Sequence, residues 1–215
     1  MKKSLLAVFI FILGFFCSAE RAFDLFFEFT PTILINTDGG KDSAPSPAVY
    51  PVTIGAVFPK NKSISFAPSL SFFTNYYLLT TDGAEPAEIE NRTATSFSFL
   101  FDFPAAFNIM SKEKHSLSIF TGPSVFARFG VLANGVKDSD PGFSGSAGDD
   151  VKEINTSFWK DASFLYLSGK LTYLYKFSDL IKAGPHFNLY LPLGSLFNGK
   201  GLNACMIGLG VTARF

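Results

Sequence analysis

The sequence predicts a closed, up-and-down antiparallel β-barrel of eight strands that crosses a membrane. Three observations predict it. Apolar and polar residues alternate with period two in eight segments, short and long connections alternate between these segments, and 27 of the 215 residues are Phe. Period two places successive side chains on opposite faces of a strand. Short turns that alternate with long loops are typical of barrels whose neighbouring strands run antiparallel through a bilayer.

Composition excludes several function classes. The chain has 18 basic and 18 acidic residues and no net charge, which disfavours a nucleic-acid surface or an acidic tail. Charged residues make up only 17%, and mean hydropathy is positive at +0.26. Such a chain either buries an unusually large core or turns its apolar surface toward lipid. We expect no nucleic-acid partner, no metal and no cofactor.

The first residues predict export. Two Lys residues precede an apolar run at 5–16, and small residues follow up to Ala19. A charged start, an apolar run of this length and a small-residue cleavage site form a secretory signal peptide. We therefore predict a signal peptide at 1–19 and a barrel domain at 20–215.

The alternating segments are long enough to cross a bilayer, which takes about nine to eleven tilted residues. In the first, Phe23, Leu25 and Phe27 share one face, and Asp24 and Phe26 lie on the other. The eight segments lie at 23–35, 50–58, 64–78, 93–107, 117–131, 165–175, 181–191 and 204–215.

The connections fall into two classes that alternate along the chain. Three are short, at 59–63, 108–115 and 176–180, and four are longer and rich in Gly, Asp, Ser and Asn, at 37–48, 79–92, 132–159 and 192–201. Outer-membrane barrels place short turns and both termini in the periplasm and long loops outside the cell. We expect the same orientation here.

Alternation alone does not exclude a soluble barrel of the lipocalin kind, whose apolar face points inward. Such a barrel carries Lys and Glu on its wet face, whereas the polar face here is mostly Ser, Thr, Gly, Ala and Asn. Aromatic residues also fall near strand ends on the apolar face, as in the interfacial girdles of membrane barrels. They are Phe23, Phe58, Tyr175 and Phe215 at the turn end, and Tyr50, Tyr76 and Phe129 at the loop end.

The last strand carries a third sign of a membrane barrel. Apolar residues occupy every second position up to the final aromatic: Ile207, Leu209, Val211, Ala213 and Phe215. This pattern resembles the C-terminal assembly signal of bacterial outer-membrane barrels. The resemblance implies an outer-membrane location, lipid contact and recognition by the barrel-assembly machinery. Size and layout are similar to the small-barrel group that includes OmpX, OmpW and the OmpA transmembrane domain.

The inner face carries charges that are costly to bury unless they are paired. They are Asp24, Glu28, Asp102, Arg128, Lys170, Lys182 and Arg214. We expect a closed salt-bridge network, with Asp24, Glu28, Lys182 and Arg214 forming a polar plug at the turn end. Side chains fill a tube of eight strands, so an open aqueous pore is not expected.

Aromatic residues dominate the inner face near the loop end, together with Leu34. They are Phe73, Tyr77, Phe126, Phe164, Tyr166 and Tyr190. Two interpretations remain open. These side chains fill the tube, or they line a vestibule for a small apolar ligand, as a resemblance to OmpW would imply.

Catalysis has little support in the sequence. A lipid A deacylase of the small-barrel type needs a His, a Ser and an acid near the outer surface. His186 is followed by Phe187 and Asn188, so the close His-x-Ser pair is missing. The functions left open are a structural or small-apolar-molecule barrel, a surface protein that binds host or lipid partners through 132–159, and a lipid-modifying enzyme. No catalytic residue is assigned.

Overall fold

The computed structural model describes residues 23–35, 47–59, 62–160 and 162–215. The predicted signal peptide at 1–19 lies outside these residues. The strands are β1 (Asp24–Phe29), β2 (Thr32–Ile35), β3 (Ala48–Val49), β4 (Val52–Val57), β5 (Ile64–Phe66), β6 (Ser69–Thr80), β7 (Gly83–Pro86), β8 (Ala94–Asp102), β9 (Ala105–Ser111), β10 (His115–Leu132), β11 (Pro141–Gly142), β12 (Gly145–Ser146), β13 (Leu165–Lys176), β14 (Lys182–Pro192) and β15 (Cys205–Arg214). The helices are α1 (Ala147–Lys160) and α2 (Leu193–Phe197). No helix of the described residues is long and apolar enough to cross a bilayer.

The strands form a closed antiparallel barrel with eight strand positions, each of which we call a wall. Their order is β1, β4, β6, β8, β10, β13, β14, β15 and back to β1. The closing ladder pairs Phe26 with Arg214 and Phe29 with Val211. β2 continues the first wall and pairs with the other end of β15. Closure leaves the barrel without a free sheet edge along these ladders, which is what hydrocarbon requires of a β-structure.

Proline interrupts four neighbouring walls without opening them. Pro31 separates β1 from β2, Pro51 separates β3 from β4, Pro68 separates β5 from β6, and Pro104 separates β8 from β9. Proline has no N–H to donate, but its carbonyl still accepts from the adjacent wall. The amide N–H of Thr30, for example, donates to the Pro51 carbonyl at 3.0 Å. The ladder therefore continues across these breaks.

The prediction of eight membrane-crossing strands is confirmed, with corrections at the connections. The 108–115 connection is shorter than expected, because β9 runs to Ser111 and β10 begins at His115. The 79–92 connection contains a hairpin between β6 and β7. The 132–159 and 192–201 connections contain α1 and α2 instead of loop alone.

The outer surface is an apolar belt of the kind that faces lipid. Large side chains on this face stay exposed: Phe27, Ile33, Ile54, Ile64, Phe66, Phe103, Phe129, Leu209 and Val211. Soluble monomers rarely expose apolar patches of more than a few hundred Å². Aromatics at the strand ends are exposed as well, including Tyr50 and Phe215. These positions agree with the predicted girdles.

The inner face of the barrel is filled by side chains. Near the turn end, an apolar layer is formed by Phe26, Val57, Ala67, Ala106 and Phe120. Position 55 is glycine because a Cβ there would overlap the Phe26 ring. The absence of a side chain at position 55 therefore leaves room for the Phe26 ring inside the narrow tube of an eight-stranded barrel.

Candidate ligand chamber at the loop end

Ion pairs close the tube near the turn end. Lys170 donates to both carboxylate oxygens of Glu28, at 2.9 and 3.1 Å. The same ammonium lies 4.7 Å from the ring centroids of Phe26 and of Phe120. A second pair joins Lys182 to Asp24 at 3.8 Å. The Lys170 pair combines charge neutralisation with cation–π contact, which is how a low-dielectric interior tolerates an ammonium.

Asp102 forms a polar floor above these pairs. Its carboxylate accepts hydrogen bonds from the Ser124 hydroxyl at 2.5 Å and the Tyr190 hydroxyl at 3.1 Å. The Ser69 hydroxyl donates a third bond at 3.3 Å. Because all three groups are neutral donors from different walls, they hold the carboxylate in place across the tube.

Above the floor lies an apolar compartment, which we call the aromatic chamber. It consists of Leu34, Val49, Phe73, Leu100, Phe126, Phe158, Tyr166 and Met206, with Phe164, Tyr190 and Ala204 packed against it. The Phe126 ring stacks on Phe73 with centroids 5.7 Å apart. It meets Tyr166 and Phe158 edge-on, at 5.8 and 5.3 Å. Such edge and offset contacts are the preferred geometries of aromatic rings.

Phe158 reaches the chamber from helix α1, outside the barrel ladder. The sequence of α1 explains why it folds as a helix. Ser146 accepts from the Asp149 amide at 3.2 Å and donates to the Asp149 carboxylate at 3.0 Å, which caps the first turn. Ile154 and Phe158, four residues apart, then share the buried face. Burial of this face against the barrel stabilises a helix too short to persist alone.

Helix α1 fills a gap in the barrel wall. The ladder between β10 and β13 ends at the pair Val125 and Leu165, whereas β10 continues to Leu132 against β8. Asn155 of α1 occupies the edge that β13 leaves open. Its Oδ1 accepts from the Gly130 amide at 2.8 Å, and its Nδ2 donates to the Gly130 carbonyl at 3.1 Å. A side-chain amide thus replaces a missing strand at this point.

Arg128 joins α1 to the lumen. Its Nη2 donates to the Ile154 carbonyl at 3.0 Å and its Nη1 to the Tyr77 hydroxyl at 3.3 Å. The guanidinium lies 4.6 Å from the Phe158 ring centroid. Tyr77 belongs to a small apolar cluster with Leu79, Ala94 and Ile154 beneath the helix. These contacts attach α1 to the barrel at the loop end of the aromatic chamber, which we call its mouth.

The structure places the six predicted aromatic residues around this mouth, but not in one group. Phe73, Phe126 and Tyr166 form the chamber, and Phe164 and Tyr190 pack against it. Tyr77 lies in the neighbouring cluster. The chamber is also filled by a residue that the sequence prediction missed, Phe158. Ile154 and Phe158 are four residues apart and follow a helix cap formed by Ser146 and Asp149. This helical spacing is the sequence pattern that could have predicted Phe158 as a buried residue.

Among the described residues, the inner charges meet in several local contacts. Lys170 pairs with Glu28 and Lys182 with Asp24, so Glu28 of the predicted plug takes its partner from outside that plug. Asp102 is held by hydroxyl groups and lies near the charges of Lys170 and Glu28. Arg214 lies opposite Phe26 in the closing ladder, near the charges of Asp24 and Glu28, whereas Arg128 is held by neutral groups at the loop end. That these charges form one closed network stays a prediction.

The two histidines of the described residues lie in different surroundings. The Nε2 of His186 is 2.8 Å from the Thr30 hydroxyl inside the barrel. His115 is 2.5 Å from the Tyr173 hydroxyl near the turn end. Within the described residues no three of His, Cys, Asp and Glu lie close enough together to hold a metal ion.

The residues of the predicted assembly signal lie on β15 and at its end. Ile207, Leu209, Val211 and Phe215 are exposed on the outer face, and Ala213 is half-buried. β15 pairs with both β14 and β1 and so closes the barrel. Its role in assembly stays a prediction.

Fold and surface together define the class of protein: a membrane-spanning β-barrel with a lipid-facing apolar belt and a filled polar lumen. Neisserial surface protein A (NspA) has a similar structure, with a TM-score of 0.53 and 13% identity over 92% of this chain and 98% of that one. The likeness to NspA shows the fold, and confirms the small eight-stranded barrel predicted from the sequence.

Two further solved structures match less closely. Ail, an outer membrane protein of Yersinia pestis, has a TM-score of 0.41 and 11% identity over 89% of this chain and 99% of that one. The N-terminal β-barrel domain of Pseudomonas aeruginosa OprF has a TM-score of 0.42 and 9% identity over 89% and 97%. No protein-family model matches the chain, and no curated protein matches it significantly.

Proposed function

We propose that this protein is a non-catalytic outer-membrane barrel that binds small apolar molecules in the aromatic chamber. Its short turns and termini would face the periplasm and its loops the cell surface, and its last strand would serve assembly. The observation that carries the proposal is Phe158. A ring borne by a loop helix occupies the chamber in edge-on contact with Phe126. A compartment that accepts this tethered ring suits a free ring of similar size.

The anchoring of α1 supports exchange of Phe158 for a ligand. Among the described residues, α1 is held to the barrel by two hydrogen bonds between Asn155 and Gly130, by one from Arg128 to Ile154, and by its buried apolar face. A neutral hydrogen bond contributes about 1 kcal/mol, and one from a charged group about 1.5–3 kcal/mol. Opening of a loop element held in this way is within reach of thermal motion and ligand binding.

Binding, as opposed to conduction, follows from the layers beneath the chamber. The Asp102 cluster and the Lys170–Glu28 pair cross the tube, and Phe26 and Phe120 fill the space around Lys170. A molecule that enters the chamber meets this filled floor. We therefore expect the purified barrel to be silent in planar-bilayer conductance.

The test is titration of the folded barrel in detergent micelles with N-phenyl-1-naphthylamine, an uncharged aromatic dye. Trp159, the one Trp of the chain, follows Phe158 directly and serves as the energy-transfer donor. We expect saturable transfer from Trp159 to the dye. Substitution Phe197→Ala is the control, because Phe197 is an exposed ring in another loop. Transfer that rises linearly with dye concentration and does not saturate would reject the proposal.

A second candidate function is interaction with another macromolecule at the loop end. Phe197 is 80% exposed, and Leu196 and Leu202 beside it are 42% and 47% exposed. Exposed apolar residues clustered on a loop often mark contact with a partner. For cells that display the protein, substitution Phe197→Ser should then lower attachment to host-cell layers while dye binding is kept. Unchanged attachment would remove this candidate.

A further inference from the structure

Among the described residues, Arg128 differs from Lys170 and Lys182, because it has no ion pair with an acid. Lys170 and Lys182 are paired with Glu28 and Asp24. The partners of Arg128 are the Tyr77 hydroxyl, the Ile154 carbonyl and the Phe158 ring, all of them neutral. Its Nε is buried and has no hydrogen-bond partner. A half-buried guanidinium whose partners among the described residues are all neutral favours an anion beside it.

Two of these three partners belong to α1. When a ligand displaces Phe158, as the proposed function requires, the same movement takes the Ile154 carbonyl away from Arg128. The guanidinium would then keep only Tyr77, which comes from β6. A ligand that replaces the Phe158 ring alone would leave the charge poorly compensated. One that also brings a carboxylate would compensate it, because the planar guanidinium matches the two oxygens of a carboxylate.

The wall beside Arg128 carries further unused hydrogen-bonding groups. In the register of β8 and β10, Ser98 lies opposite Arg128 and Ser96 opposite Gly130. The hydroxyls of Ser96 and Ser98 are fully buried and have no hydrogen-bond partner. The Arg128 Nε and these two hydroxyls thus lie at neighbouring register positions of β8 and β10. Groups that can donate hydrogen bonds side by side suit a ligand group with several acceptor oxygens, and the positive guanidinium disfavours an ammonium.

We propose that the aromatic chamber binds an amphipathic carboxylate, whose apolar ring or short chain replaces Phe158 and whose carboxylate binds Arg128 with the hydroxyl of Ser98. The guanidinium lies over the Phe158 ring, 4.6 Å from its centroid, so a ligand that takes the place of this ring lies beside Arg128, within reach of its carboxylate. The proposal rests on the proposed function and narrows it, from small apolar molecules in general to those that carry an acid group.

The test compares 2-naphthoate with its neutral isostere 2-naphthamide on the folded full-length barrel in micelles, by quenching of Trp159 fluorescence and by calorimetry. We expect naphthoate to bind at least tenfold more tightly than naphthamide. Substitution Arg128→Gln should abolish this preference by weakening naphthoate more than tenfold, with naphthamide changed less than twofold. Lys152→Gln is the charge-matched control, since Lys152 lies on the exposed face of α1 with its side chain 72% exposed.

The outcomes separate the two proposals. Equal affinity for naphthoate and naphthamide in the unmodified protein, or a preference that survives Arg128→Gln, overturns the carboxylate proposal and leaves the aromatic chamber as a neutral site. Absence of saturable binding by both compounds and by the uncharged dye overturns the proposed function together with this inference. Circular dichroism of each variant in the same micelles establishes that the barrel is folded. Arg128→Lys, which keeps the charge and loses the planar fork, should retain part of the preference.

Discussion

Phe158 and Trp159 are consecutive residues of α1 whose rings contact each other edge-on, with centroids 5.1 Å apart. Phe158 is 4% exposed and lies in the aromatic chamber, whereas Trp159 is 43% exposed. The Trp159 ring also contacts Phe164, at 5.6 Å, and the outward-facing Phe129, at 6.4 Å. Trp159 therefore links the buried ring of the chamber to the outer face of the barrel.

Removal of the Phe158 ring should open the chamber to ligands. Burial of such a ring is worth about 1.5–3 kcal/mol, so its loss as an internal competitor should raise the affinity for N-phenyl-1-naphthylamine by about tenfold. Phe158→Ala tests this in a dye titration, and Phe197→Ala is the control because that ring is 80% exposed. Equal affinities in the two variants would show that Phe158 does not compete for the site.

A disulfide that fixes α1 to β10 should abolish dye binding reversibly. A Cβ added at Gly130 would lie 3.7 Å from Cγ1 of Val151 and 3.3 Å from Oδ1 of Asn155, so a cysteine pair at 130 and 151 is the pair to test for a cross-link between β10 and α1. In the double variant Gly130→Cys, Val151→Cys, we expect dye binding under reducing conditions and its loss on oxidation. Each single variant serves as a control for oxidation itself. Binding that persists in the oxidised double variant would mean that ligands enter without movement of α1.

The barrel was predictable from sequence because its determinants are local and repeated. Alternation with period two sets which face of each strand meets lipid, and it places Phe27 outside and Glu28 inside whatever the partner strand. The final pattern from Ile207 to Phe215 needed only the last strand. Because every strand of a membrane barrel follows the same alternation, the errors in the predicted elements lie in the connections.

The aromatic chamber could be predicted only in part, because one of its residues comes from a connection and not from an alternating strand. Phe126 and Tyr166 follow the alternation and could be assigned to the lumen. Phe158 comes from a connection with helical period, and its position depends on a ladder between β10 and β13 that stops early. The length of that ladder is a property of two strands and a helix together. The pairing of Arg128 with neutral groups has the same origin, because its partners lie 51 and 26 residues away in the sequence.

The buried Lys170–Glu28 pair should be costly to break. In Glu28→Gln the Lys170 ammonium would stay between Phe26 and Phe120 without its counter-ion. Loss of one partner of a buried pair costs about 3–5 kcal/mol, which chemical unfolding in micelles followed by circular dichroism would measure. Adding Lys170→Met should recover much of this loss, since an apolar replacement removes the unpaired charge.

The exposed pair of Lys176 and Asp179 at the turn end is the matched control for that experiment. Its atoms are 2.6 Å apart, but the Asp179 side chain is 94% exposed. Solvent screens such a pair and its contribution to stability is small, so Asp179→Asn should leave unfolding unchanged. A loss of stability in Glu28→Gln no larger than in Asp179→Asn would contradict the view that the lumen pair holds the walls together.

Acid should loosen the start of α1, and Asp149 supplies a defined part of this effect. Its hydrogen bond with Ser146 and the neighbouring Lys152 ammonium lower the pKa of Asp149 below its usual 3.8. Because the folded pKa is the lower one, the ionised carboxylate stabilises the capped helix fully above about pH 3.8. This contribution is lost as the pH falls through the lower, folded value. The emission of Trp159 at the other end of α1, followed from pH 7 to pH 2, should therefore show a transition centred below 3.8.

Two variants assign that transition. In Asp149→Asn the side chain does not titrate, so the component that belongs to the Ser146 cap should disappear from the Trp159 profile. Asp179 also has a lowered pKa, which its hydrogen bond with Lys176 causes, but it lies in a turn at the far end of the barrel. Asp179→Asn should accordingly leave the profile unchanged. Equal effects of the two substitutions would point to acid acting on the barrel as a whole. An effect of Asp149→Asn alone, accompanied by stronger dye binding at low pH, would tie the cap of α1 to access to the chamber.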